Sequence, residues 1–246
     1  MAFSDGHLEI FYRPIVDPRD EQVRIYRAVP VLSTDDGSLV GAKQVLAHDG
    51  SPLDTAARNA EVLRRVAADL VAAHNGGNTV FVMVPVNAKA MSTRESATAM
   101  VKVLKDLPPV CAKAAISHLF DLPDRLTLNT LDDAVVPLLI TIDKFVIEPP
   151  ARLEDYSDIG ACDAQGVVLD MGPDEGPDGG EGLDLTKFWS RAVPRRLGIF
   201  VQNVRDEAVL PMAERYESRG LDGPVFGKLL PEIGPRTSRA ELGAPG

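Results

Sequence analysis

Short runs of apolar residues rich in β-branched and aromatic side chains recur at 7–16, 23–32, 79–86, 140–147, 166–171 and 197–204, and each predicts a strand. Between several of them the period changes. Over 55–73, Leu63, Val66, Ala67 and Leu70 recur at three- and four-residue spacing while Arg58, Glu61, Arg64, Arg65 and Asp69 take the opposite side, which predicts an amphipathic helix. Ser92 with Glu95 three residues on predicts a capped start to a second helix, running to Leu107 before Pro108 and Pro109 stop it. Leu185, Phe188, Trp189 and Ala192 form a third stripe, and Ala208, Val209, Met212, Ala213 and Tyr216 a fourth that ends at Gly220. Strand-then-helix repetition implies parallel strands with crossover helices, and at 246 residues a closed α/β barrel of the (β/α)8 kind is the economical solution, with an open doubly wound sheet second.

Two stretches break the pattern. Residues 172–184 hold five glycines, five acids and two prolines, too polar to pack and expected as a surface excursion. Residues 231–246 carry three prolines and three glycines without apolar periodicity, so a barrel over 1–230 with a flexible C-terminal tail is expected.

Charge narrows the partners. With 36 acidic residues against 26 basic ones the net charge is -10, which repels a phosphate backbone and argues against nucleic acid. No run approaches the roughly 18 apolar residues of a spanning helix, and no leader pattern opens the chain, so a cytoplasmic protein without membrane insertion is expected. Cys111 and Cys162 are too few for a disulfide framework or a four-cysteine zinc site and are expected in the core.

Motif arithmetic finds no catalytic set. His7, His48, His74 and His118 form no H-x-x-x-H or H-E-x-x-H pattern and are expected in structural or surface roles. The stretch His74 to Asn78 precedes a strand and reads as a turn, not a phosphate loop. The pairs Asp35 and Asp36, and Asp132 and Asp133, read as solvated turns and helix starts. G-x-S-x-G, Walker and G-x-G-x-x-G sequences are absent.

A comparison goes further. Residues 11–32, FYRPIVDPRDEQVRIYRAVPVL, resemble the opening of the EAL-type cyclic-di-GMP phosphodiesterases, Y-x-P-I-V-D, turn, Y-E-A-L-L-R, through Tyr12, Pro14, Ile15, Val16, Asp17 and Tyr26. Residues 199–230 are similar to the family's closing stretch, A-E-G-V-E-T, helix, Q-G-Y-L-F-G-K-P, through Val204, Leu210, Gly220, Gly223, Phe226, Gly227 and Lys228. VMVPVNAKAM, ITIDKF and VVLDM resemble the V-N-L-S, L-D-D-F and L-K-I-D strands, in family order. The resemblance implies an EAL-type barrel over nearly the whole chain.

It also implies what has been lost. Arg27 stands where the family has the glutamate of its name, and Val31 replaces a substrate-contacting arginine. The family asparagine falls on Pro85, or on Asn87 with a two-residue slip. The acidic pair becomes Asp143 and Lys144, the general-base lysine Val168, the two late glutamates Gln202 and Arg205, and the late glutamine Asp222. The third acidic position lies within 115–121, with Asp121 undecided. Phosphodiester hydrolysis in this family needs two divalent cations about 4 Å apart, held by several carboxylates. Three cations at or beside those positions repel such ions, so no catalytic residue, no metal and no cofactor is expected.

Two accounts of the cations stay open. Arg27, Lys144 and Arg205 pair with Asp143, Asp170 or Asp222 in a salt-bridged plug. Alternatively Arg27, Asp143, Lys144, Gln202, Arg205 and Asp222 mark an anion-binding pocket, a metal-independent receptor for cyclic-di-GMP or another phosphate-bearing ligand. The resemblance implies a regulatory or scaffolding role with an unidentified protein partner, in bacterial signalling such as motility or polarity. An enzyme of another reaction class on the same barrel is the third reading. The family's dimer-forming loop falls on 146–152, where Pro149 and Pro150 preclude its usual form.

Overall fold

The computed structural model describes residues 6–34, 39–46, 50–172 and 185–242. A long antiparallel hairpin opens the chain, β1 (Gly6–Asp17) turning into β2 (Gln22–Thr34). The two-residue strand β3 (Leu39–Val40) pairs back on β2 and leads into a short helix, α1 (Ala42–Leu46). Then follow α2 (Pro52–Asn75), β4 (Phe81–Asn87), α3 (Arg94–Lys105), α4 (Pro109–Ala114), β5 (Ala115–Phe120) and α5 (Leu128–Val135). The second half runs β6 (Phe145–Ile147), α6 (Ser157–Ala161), β7 (Gly166–Asp170), α7 (Leu185–Ala192), β8 (Gly198–Gln202), α8 (Leu210–Arg215), β9 (Gly220–Leu221) and β10 (Thr237–Ser238).

Strands β2, β4, β5, β6, β7, β8 and β9 run parallel in that order, and β1, antiparallel to both β9 and β2, closes the ring. The result is a closed eight-stranded α/β barrel, as the strand-helix alternation predicts. Side chains alternate across each strand, so every second residue points inward. Ile15, Met83, Ile116, Val146, Val168 and Phe200 form the packed interior, and a larger apolar layer fills the space between barrel and helices. Among the described residues no helix is long and apolar enough to cross a membrane.

Local sequence explains the best-formed elements. Ser51 caps α2, accepting from Asp54 N at 3.2 Å while the Asp54 carboxylate accepts from Ser51 N at 3.0 Å, with Pro52 pre-set in the first turn. The predicted stripe Leu63, Val66, Ala67 and Leu70 is the buried face of α2. The second helix is capped one residue later than its sequence suggests: Thr93 accepts from Ser96 N at 3.2 Å, and the helix stops at Lys105. The strand expected over 140–147 is confined to Phe145–Ile147, because Leu138–Ile140 coils into a 3-10 turn. β5, absent from the predicted strands, is buried at every position and so shows no alternation.

The flexible tail expected over 231–246 is, through Leu242, a docked strap. β10 pairs with β2 at Val23 and Gln22, Tyr26 Oη donates to Pro235 O at 2.8 Å, and Asn78 Nδ2 donates to Gly234 O at 2.6 Å. The strap also holds itself locally, Ser238 N donating to Glu241 Oε2 at 3.0 Å, while its longer-range hydrogen bonds go to the barrel. Of the expected excursion over 172–184, only Gly172 lies inside the described residues, and Asp35, Asp36 and His48 lie outside them.

Candidate functional site at the barrel mouth

The carboxyl ends of the parallel strands bring polar side chains to one end of the barrel, where β/α-barrels carry their chemistry. Arg27, pointing inward from β2 and 6% exposed, meets Asp222, just past β9 and 1% exposed. Its Nε donates to Asp222 Oδ2 and its Nη2 to Oδ1, both at 2.8 Å, a two-point fork; Nη2 also donates to Asn203 Oδ1 at 2.7 Å. Asn203 turns the chain after β8 with φ 58°, a left-handed conformation that asparagine tolerates better than most residues. From there its backbone N–H donates to Asp222 Oδ1 at 3.1 Å and its Nδ2 to Asp170 Oδ1 at 2.7 Å.

The network continues around the rim. Asp170, the last residue of β7, accepts from Gly172 N at 3.0 Å on Oδ1, and its Oδ2 lies 2.7 Å from Lys43 Nζ. The same ammonium, arriving from α1, donates to Glu148 Oε1 at 2.6 Å. Glu148 directly follows β6 and extends its ladder through Glu148 N to Leu119 O at 2.8 Å. Its second oxygen lies 3.4 Å from Nε2 of buried His118 on β5, and neither atom has a hydrogen-bond partner. Burial would raise the Glu148 pKa, but the neighbouring His118 and the Lys43 ammonium overcome it and hold the carboxyl at about 2. Burial likewise works against charge on Lys43, and the Glu148 and Asp170 carboxylates outweigh it, keeping the ammonium above its ordinary pKa.

Beside this chain, Asn87 at the end of β4 is committed to structure. Its Oδ1 accepts from Lys89 N at 2.9 Å and its Nδ2 donates to Asp121 Oδ2 at 3.0 Å. Of the two placements for the family asparagine, Asn87 is the one at a strand end. Gln202 is buried beneath the network, its Nε2 3.4 Å from Met83 Sδ.

The structure therefore gathers Arg27, Gln202 and Asp222 of the predicted residues, with Asp170. It does not gather the others. Asp143 and Lys144 precede β6, and Lys144 Nζ pairs with Asp143 Oδ1 at 2.7 Å on the surface. The three residues of β6 separate Lys144 from Glu148, a rise of about 13 Å over four steps, so the pair belongs to the opposite end of the barrel. Glu148 is the acidic residue at the mouth end of that strand, and the prolines after it were the signal that the strand ends there. Arg205 is exposed on the loop after β8. His118 and Lys43 were not predicted at the site; His118 lies two residues after inward-facing Ile116, the spacing that puts both on one strand face.

Among the described residues, no group of three His, Cys, Asp or Glu side chains is arranged to hold a metal ion. The carboxylates at the mouth are instead matched to Arg27, Lys43 and Asn203, so the donor set does not fit a pair of divalent cations. Cation pairing of this kind neutralises charge and fixes side chains.

No protein-family model matches the sequence. No curated protein matches it either. Solved structures do. The Bacillus subtilis YkuI protein, which has an EAL domain and was solved in complex with substrate c-di-GMP and calcium, superposes with a TM-score of 0.67 at 11% identity, over 93% of this chain. This chain spans 56% of YkuI. The PaMucR phosphodiesterase, in a c-di-GMP complex, gives 0.67 at 15% identity over 91% of this chain and 92% of that one. The Xanthomonas citri FimX EAL domain, in complex with c-diGMP, gives 0.65 at 15% identity over 93% and 88%. Arriving at the same architecture as the quoted motifs, these superpositions establish that the chain has the EAL-domain fold.

Proposed function

We propose that this protein is an EAL-fold barrel that does not hydrolyse cyclic-di-GMP and serves as a regulatory or scaffolding module in bacterial signalling, its contacts made by the barrel surface. The observation that carries this reading is the buried fork between Arg27 and Asp222. A guanidinium stands where the resemblance implies a metal-binding glutamate, and its two-point partner is another residue of the same chain. A phosphate reaching that guanidinium must displace a carboxylate already desolvated with it, at a cost of several kcal/mol. Incubation with cyclic-di-GMP and manganese or magnesium tests it. The expected result is no linear product above a protein-free blank, and turnover overturns the reading.

The receptor reading has its own support in the three similar structures solved with c-di-GMP. Calorimetric titration of cyclic-di-GMP separates the two: heat without product marks a receptor, while no heat at high micromolar protein leaves the scaffold. An affinity pull-down from the native organism then identifies the partner protein.

A further inference from the structure

Between α5 and β6 the chain leaves large apolar side chains in water. Val136 is 58% exposed, Leu139 43% and Ile140 47%, three such residues within five positions. A single exposed apolar residue is ordinary, but several on one ridge mark a face that another surface covers. The ridge is firmly placed. Leu138 is fully buried and anchors the 3-10 turn, and Thr141 Oγ1 donates to Leu104 O at 2.7 Å, which holds the ridge against the last turn of α3. Its two ends carry opposite charge. Asp132 and Asp133, exposed on α5, lie about one turn before Val136, and Lys102 and Lys105 are exposed in the last turn of α3. None of these four enters an ion pair among the described residues, whereas Asp143 and Lys144 close by pair with each other. Asp106 follows Lys105 and leaves that end net positive.

We propose that this ridge is a two-fold interface between two copies of the chain. A two-fold axis through the middle of the ridge runs the two ridges antiparallel, covers Val136, Leu139 and Ile140 of each copy with those of the other, and sets each acidic end against the partner's basic end. Charge of opposite sign at the two ends is self-complementary, which is what a second copy requires and an unrelated partner does not. The face precedes β6 and so belongs to the amino ends of the strands, away from the mouth, and what the mouth binds or hydrolyses has no bearing on it. It is also separate from 146–152, where the resemblance places the family's dimer-forming loop and where Pro149 and Pro150 stand.

Molar mass by light scattering across a range of protein concentration tests this, with melting curves confirming that each variant is folded. Wild type is expected to be dimeric at high micromolar protein, and Ile140→Glu to weaken association at least about tenfold. Two charge variants read the arrangement itself. Lys102→Glu with Lys105→Glu makes both ends acidic, and Asp132→Lys with Asp133→Lys makes both ends basic. Each alone is expected to lose at least about tenfold in association, and an equimolar mixture of the two to recover to within about threefold of wild type. Should either double variant not fold, Lys105→Glu and Asp132→Lys are mixed in their place, with losses and recovery in the same directions. A monomeric wild type overturns the proposal. So does a dimer indifferent to Ile140→Glu, and so do charge variants that dimerise alone as wild type does or stay monomeric when mixed.

Discussion

Arg27 and Asp222 are 195 residues apart in sequence, yet the guanidinium edge of one lies square on the carboxylate of the other, two hydrogen bonds of 2.8 Å in a nearly dry setting. Such a pair contributes less than it costs to break, since removing one partner strands the other. Asp222→Ala is expected to lower stability by about 3–5 kcal/mol, whereas Arg27→Met with Asp222→Leu loses much less. Urea unfolding of the two variants checks this. Equal losses would mean that the pair is not a closed unit.

Glu148 makes stability depend on acid. Its folded pKa, about 2, lies below the ordinary 4.5, so the unfolded chain binds the proton first. The stabilisation is complete above about pH 4.5 and is lost as pH falls toward about 2, a change on the order of 3 kcal/mol. Glu148→Gln removes this contribution and is expected to flatten the acid limb of a stability profile. An unchanged acid slope in the variant would contradict it.

Gly223, immediately after Asp222, has φ +146°, and a Cβ there would meet Val204 O at 2.1 Å and Val204 N at 2.4 Å. Both are backbone atoms, and Val204 N is itself held by Asp222 O at 2.9 Å. Gly223→Ala is expected to cost at least about 3 kcal/mol, through strain and collision together. Loss of soluble protein or a large drop in unfolding midpoint is the readout; a near-neutral variant would refute the placement.

Ending the chain after Leu230 removes β10, the Pro235 acceptor of Tyr26, and Arg239, which pairs with Glu207 and lies over the Phe226 ring. The melting temperature is expected to fall by roughly 5–10 °C. An unaltered melt would show that the strap carries no stability.

Much of the scaffold could be read from residue order. The hairpin shows in its two β-branched runs and α2 in its stripe, while the Ser51 cap lies upstream of the helix expected over 55–73. The site was legible only where a strand end was marked. Asp222 and Arg27 sit in recognisable motifs, and the structure joins them. Asp143 falls outside the site because ITIDKF resembles the L-D-D-F strand while the strand itself begins five residues after 140, at Phe145, and a parallel strand of three residues gives too little pattern to fix where it begins. Lys43 had no signal at all, because its role depends on where α1 carries it rather than on its neighbours in sequence. The strap over 231–242 has no such signal for a related reason: its backbone pairs with β2 and accepts from the distant side chains of Tyr26 and Asn78, and no side-chain period in the strap records this.

The closure of the ring by β1 also governs how the chain is made. Tyr12 and Leu230 exchange backbone hydrogen bonds of 2.8 and 2.9 Å, and Val16 pairs with Leu221, so the first strand finds its second neighbour only in the last tenth of the sequence. On the ribosome the hairpin therefore emerges with one edge unsatisfied, and the barrel stays an open ribbon until β9 has been made. Such late, non-local pairing slows folding and exposes a sticky margin to neighbours in a crowded cell. Nascent chains of this protein should thus depend on holdase chaperones far more than the finished molecule does.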